Sequence, residues 1–197
     1  MNFDSIKLTL MNFKGLFFIL IILMMISCKF FKLEKSSKSF DEEAMTFYPK
    51  FSHSDSSKIA YFECEDFVSN ALNNYTIAKI NQKFLKLLNC SKKSIVNKYD
   101  PAVIDTIYTF SNSENKIQIY RAKQNDFIFT FDVTDPKFKL TGNIKPGMKK
   151  DVFTRKFHIT ENINNKVQIV NSEGTMRFMF YFENNMLKRI YSYLYLD

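Results

Sequence analysis

Apolar positions recur along this chain in three rhythms, and each predicts a different kind of element. In Met11–Cys28, MNFKGLFFILIILMMISC, a single cation, Lys14, precedes an unbroken apolar run, Leu16–Ile26, followed by Ser27 and Cys28. The run is shorter than the roughly 20 apolar residues that a membrane-spanning helix needs, and it fits the apolar core of an export signal. Between 77 and 88, Ile77, Ile80, Phe84, Leu87 and Leu88 recur at helical spacing and predict an amphipathic helix ending near Asn89. Glu65–Leu72 predicts a short helix before it. Lys92–Tyr99 predicts another after it, capped by Ser91 and stopped by Pro101, and Met148–Phe157 a further one after Gly147.

Beyond residue 105 the period is mostly two. Thr106–Phe110, Lys116–Arg121, Phe127–Val133, Phe138–Gly142, Lys166–Val170, Thr175–Phe182 and Met186–Leu196 are predicted strands, and turn compositions separate most of them. Ile59, Tyr61 and Phe62 are strand residues at the start of the folded part.

The two halves also match each other. Ser91–Val96 lies over Met148–Phe153, Lys116–Ile119 over Lys166–Ile169, and Phe127–Phe131 over Phe178–Phe182, in one order and at offsets of 57, 50 and 51. Agreement of three blocks points to duplication. Each block at 127–131 and 178–182 puts three side chains on one sheet face, and a one-sided helix can cover such a face. The expected fold is α+β, with two tandem units of short helix followed by antiparallel meander and the helices packed on one sheet face. The units are 91–143 and 144–197, after a helical and strand segment, 58–90.

Residues 28–57 read as a tether. Lys29, Lys32, Lys35 and Lys38 recur every third residue, a pattern suited to anionic headgroups or to a solvated linker, and serines at 36, 37, 39, 52, 54, 56 and 57 add no packing surface. Residues 1–27 are then a removed signal, with translation starting at Met1 or, since Met11 repeats Met-Asn-Phe and gives a conventional signal, at Met11.

Met25-Ile26-Ser27-Cys28 resembles the lipobox of bacterial lipoproteins, with Met25 where Leu is usual. The resemblance implies a diacylglyceryl group on Cys28, cleavage before it, acylation of the new amine, and a place in the cell envelope, at the outer membrane rather than the inner. Cys64 and Cys90 then remain as an even pair in an oxidising compartment, either bridged or held as two separate buried thiols.

The segment Ile144–Val152, IKPGMKKDV, and the closing strands through Phe180–Ile190 look like the small SmpA-like lipoproteins of outer-membrane β-barrel assembly. The tandem arrangement is similar to the β-lactamase-inhibitor-protein fold. The first copy has Asn89-Cys90-Ser91 where the second has Pro146-Gly147-Met148. The resemblance implies a partner-binding body on an envelope anchor.

Composition narrows the chemistry. Twenty-two Phe and 10 Tyr with 4 Gly and 4 Pro describe a sheet-rich globular chain, and the net charge is +8. Export makes nucleic acid an unsuitable partner for that charge and an anionic lipid or envelope protein a suitable one. No catalytic set, metal site or cofactor motif is found. His53 lies in the tether beside Ser52, Ser54 and Asp55, where a triad lacks preorganisation, and His158 reads as a surface or cap residue. Glu63, Glu65 and Asp66 read as a solvated edge.

Lys92, Lys93 and Lys98, with Lys149, Lys150, Arg155 and Lys156 in the duplicate, give two helices a basic side: a docking surface for an acidic partner, or an ordinary solvated face. The expected role is a non-enzymatic binding or assembly accessory protein. The alternatives are an envelope hydrolase or small-ligand binder with a site drawn from dispersed residues, or an inhibitor.

Overall fold

Nearly every alternating stretch joins one mixed sheet. The computed structural model describes residues 45–51 and 59–194. Its strands are β1 (Lys50–Phe51), β2 (Ile59–Glu63), β3 (Asn89–Val96), β4 (Ile104–Ser111), β5 (Lys116–Ala122), β6 (Asn125–Val133), β7 (Lys166–Val170), β8 (Met176–Glu183) and β9 (Met186–Leu194). They lie in the order β1-β2-β7-β8-β9-β6-β5-β4-β3. Eight have five residues or more, and the two-residue β1 extends one edge. Every neighbouring pair is antiparallel except β2 with β7. Read outward from the β6–β9 seam, one side is the meander β5, β4, β3. The other is β8 and β7, with β2 taken from earlier in the chain.

Three short helices, α1 (Glu65–Asn70), α2 (Ile77–Phe84) and α3 (Lys150–Lys156), cover one face. The Thr76 hydroxyl caps α2 by accepting from the Lys79 N–H, and the Asp126 carboxylate accepts from the Ile77 N–H, which places negative charge where the helix dipole favours it. Under the helices the core is aromatic. The Phe67 ring of α1 stands 5.1 Å from Phe47 and Phe157 and 5.3 Å from Phe178, and Phe153 of α3 stands 4.9 Å from Phe180. In the other half Tyr75 meets Phe131 edge-on at 5.0 Å and Phe84 stacks on Phe138 at 4.6 Å. These are the edge-to-face and offset geometries that aromatic quadrupoles prefer.

Four expectations change. The predicted helix Lys92–Tyr99 is the edge strand β3, paired residue by residue with β4. One solvated edge strand and one solvated helix show the same scatter of polar residues, so the pattern alone could not separate them. The predicted strand Phe138–Gly142 is a buried loop leading into a 3-10 turn, Thr141–Asn143, with a single bridge from Leu140 to Ile144; Phe138 and Leu140 are apolar because they fill the core.

Within the span read as a tether, residues 45–51 are docked. Phe47 is 2% exposed, its N–H donates to Lys156 O at 2.6 Å, and Lys156 Nζ donates to Met45 O. Gly142, at φ 75°, admits this ring, since a Cβ there would stand 2.7 Å from Phe47 Cε2. The three-block alignment is also one strand out of step with the sheet. It pairs β5 with β7 and β6 with β8, whereas counting from the seam sets β5 opposite β8 and β6 opposite β9.

The signal, Cys28, Lys29–Lys38 and His53 lie outside the described residues. Among the described residues no helix is long and apolar enough to cross a membrane.

Candidate functional site on the open sheet face

Strand pleating sends alternate side chains to the face away from the helices, and the register aligns them in rows. One row runs Lys166, Tyr181, Arg189 across β7, β8 and β9; the next runs Tyr61, Gln168, Met179, Tyr191, Asp132, Lys116 from β2 to β5. Among the described residues no helix packs over these rows.

Arg189 organises the middle of the face. Its guanidinium donates to both Asp132 carboxylate oxygens at 2.6 Å and lies 5.9 Å from the Tyr181 ring centre and 5.8 Å from that of Tyr191. The bidentate bond to Asp132 raises the Arg189 pKa above its ordinary value, so its charge is fixed. Lys166 Nζ lies 5.9 Å from the same Tyr181 ring. At the end of the strands nearest Arg189, Glu114, Asn115, Lys116, Asp132, Lys188 and Arg189 line a groove of about 850 Å³. With Arg189 held by Asp132 between the two tyrosine rings, the cations left to meet carboxylates on a flat partner are Lys116, Lys166 and Lys188 around it.

The basic residues singled out in the sequence are not gathered into one surface. Lys92, Lys93 and Lys98 are exposed on and beyond β3, at the far edge of the sheet from β7. Lys92 and Lys93 are adjacent strand residues and therefore point to opposite faces. Lys149 is exposed; Lys150 donates to Asn165 Oδ1 at 3.4 Å and lies over Phe182; Arg155 pairs with Asp151 within α3. Lys156, at the end of α3, is buried, and its ammonium donates to Met45 O of the docked 45–51 segment.

Cys64 and Cys90 are free, the first buried and the second exposed. Cys64 follows β2 and Cys90 lies on β3, at opposite ends of the strand order. Seven strand spacings of about 4.8 Å separate them along the sheet, far beyond disulfide reach. Burial raises the Cys64 thiol pKa, against the opposing pull of the Phe67 N–H, so it stays protonated.

His158 terminates α3 with φ 46° and stacks on Tyr48 at 4.2 Å. Glu65 accepts from the Ser172 N–H and hydroxyl and the Ser69 hydroxyl, bonds that lower its pKa. Among the described residues no cluster of three His, Cys, Asp or Glu could hold a metal.

The sequence reading missed Tyr181, Arg189, Tyr191 and Asp132. Their signal was present as Arg189-x-Tyr191-x-Tyr193, polar and aromatic residues at strand spacing on one face. Only the β6–β9 pairing brings Asp132 to them. No protein-family model, curated protein or solved structure matches the chain.

Proposed function

We propose that this chain is an exported lipoprotein, held in the cell envelope through lipid on Cys28, whose body is a non-enzymatic binding module for an acidic surface of an envelope protein. The anchor rests on the order of cation, short apolar run, small residue and cysteine in Met11–Cys28. The binding role rests on one observation: the open face carries Arg189 locked between Asp132, Tyr181 and Tyr191, with Lys116, Lys166 and Lys188 around it. Tyrosine and arginine dominate the energetics of protein interfaces because they bury large area at small entropic cost. The finer architecture belongs to the same reading. The body is two tandem units joined at the β6–β9 seam, similar to SmpA-like and inhibitor-protein-like modules.

A photo-crosslinker in place of Tyr191 in cells tests the binding role. Capture of a defined envelope protein, abolished by Arg189→Glu and lost when the crosslinker is moved to Tyr48, is the expected result. Equal capture from both positions overturns it. The mass of the N-terminal peptide tests the anchor: a lipid-modified Cys28 is expected, and any other N-terminus or an unmodified thiol overturns it.

A further inference from the structure

The end of the sheet away from the groove carries a loop of opposite character. The β3–β4 turn, residues 97–103, projects beyond the neighbouring β5–β6 turn, since Thr106 is opposite Arg121 and Ile104 lies two residues further on. Val96 is 60% exposed, Tyr99 79% and Ile104 59%, with Pro101 and Ala102 exposed between them. Solitary exposed apolar residues are ordinary; a hairpin tip built from them is not.

The polar groups of this tip turn inward. Asn97 Oδ1 accepts from the Tyr99 and Asp100 N–H groups, Asp100 Oδ1 accepts from Ala102, and the Asn97 and Val103 N–H groups donate to main-chain oxygens within the loop. Pro101 has no N–H to satisfy. Asn97 Nδ2 donates to Asp105 Oδ2 at 2.6 Å, and Tyr120 Oη donates to the same oxygen, which locks the turn to the sheet. Main-chain N–H groups bonded within the loop lose less than free ones on leaving bulk water for a lipid interface.

Charge around the tip fits an anionic surface. Lys98 lies in it and Lys123 on the neighbouring β5–β6 turn, with Lys92 further back along β3; Arg121 is neutralised by Asp126, and Asp105 is bonded inward, leaving Asp100 as the exposed acid. Lys98 lies over the Tyr99 ring with its ammonium 5.5 Å from the centre, the arrangement of an aromatic at headgroup level beside a snorkelling lysine.

We propose that this tip is a second membrane contact, with Val96, Tyr99 and Ile104 entering the interface of an anionic phospholipid bilayer and the neighbouring lysines meeting the headgroups. The inference rests on the anchored reading, which brings the tip to a membrane. Chain between Cys28 and Met45 spans at most about 60 Å, about twice the length of a nine-residue strand, so the body can lie against the leaflet that holds it. The anchor limits the search and the tip fixes the body's orientation.

The chain has no tryptophan, so Tyr99→Trp installs a single indole at the tip and Tyr48→Trp a control at another exposed site. The full chain is mixed with phosphatidylglycerol vesicles containing lipids brominated in their acyl chains. Emission from position 99 is expected to move roughly 10 nm to the blue and lose about half its intensity, as for a side chain seated at the acyl boundary, while position 48 is unchanged. Adding Val96→Ser and Ile104→Ser returns position 99 to aqueous emission.

Quenching that is equal or absent at both positions overturns the proposal. A blue shift that grows with protein concentration without lipid also overturns it, by assigning the tip to a second copy. The mass of the N-terminal peptide reports the anchor independently, so failure of the tip and failure of the anchor are told apart.

Discussion

Where β4 turns into β5, Asn112 Oδ1 accepts from the Glu114 and Asn115 N–H groups, Asn115 Oδ1 accepts from Thr134 and Asp135, and the residues facing water are Ser113 and Glu114. At the opposite end Asn97 performs the same bracing for the β3–β4 turn, yet the residues facing water include Val96, Tyr99, Pro101 and Ile104 beside Lys98 and Asp100. One device, an asparagine amide standing in for main-chain partners, builds both ends. Because shape is set from within, outward-facing residues are left to be chosen for contact. The groove end chose polar groups around Arg189, and the tip chose apolar ones.

That comparison is broken most severely at Asn115, which is 3% exposed. Asn115→Ala leaves the Thr134 and Asp135 N–H groups without their acceptor, and each such buried loss costs about 1–3 kcal/mol. Urea unfolding is expected to show a total destabilisation of about 3 kcal/mol. A loss under about 1 kcal/mol would mean that water replaces the brace and that the groove end is held by its strands alone.

Asn97→Ala makes the matching cut at the tip. The loop is exposed and water reaches its freed N–H groups, so the expected loss is smaller, about 1–2 kcal/mol. It comes with faster amide exchange confined to residues 97–103. Exchange spreading through β4 would show that the tip holds the sheet rather than being held by it.

How much of this was legible beforehand depends on which signal each element carries. Period-two stretches such as Lys166–Val170 placed strands directly, because one buried face forces alternation. β3 escaped because an edge strand with almost every residue exposed has no buried face to announce it. Phe47 escaped because Met45, Phe47 and Tyr48, a short apolar group between two serine-rich stretches, have no period of their own and look like linker until Gly142 and Lys156 receive the ring. The site was legible in kind and not in place. Basic residues were expected to dock a partner, but Arg189 and Asp132, 57 positions apart, meet only through strand pairing.

Asp132→Ala tests the polar face without disturbing its brace. The Arg189–Asp132 pair is bidentate but partly open, with side chains 49% and 21% exposed, so its removal is expected to cost about 0.5–1 kcal/mol. Partner capture through Tyr191 should fall more than stability does, because Arg189 loses its fixed orientation between the two rings.

Acid separates the ends in another way. Hydrogen bonds from Tyr120, then Asn97, hold the Asp105 carboxyl below the ordinary carboxylate range, and Ser172 and Ser69 do the same for Glu65 beside the β7–β8 turn, which is at the tip end. A depressed folded-state pKa contributes stability that is present above the unfolded value, roughly 4, and is lost as pH falls through the lower folded value. Asn112 and Asn115 do not titrate. As pH falls below about 4, amide protection, taken relative to each amide's intrinsic exchange rate, is therefore expected to be lost at 97–105 before it is lost at 112–115. The reverse order would show that the tip's brace does not depend on the Asp105 charge.

The smallest expected effect concerns Tyr99 itself. If the tip's shape comes from Asn97 and its neighbours, a side chain that is 79% exposed contributes almost nothing to folding. Tyr99→Ser should leave the unfolding midpoint within about 0.5 kcal/mol of the parent, the ordinary range for a surface change. A destabilisation above about 1 kcal/mol would mean that the ring packs on the fold, and its exposure would then reflect poor packing and not a contact surface. An unchanged midpoint leaves an apolar ring held out in water by a braced loop, a position that folding does not require and that a membrane interface explains.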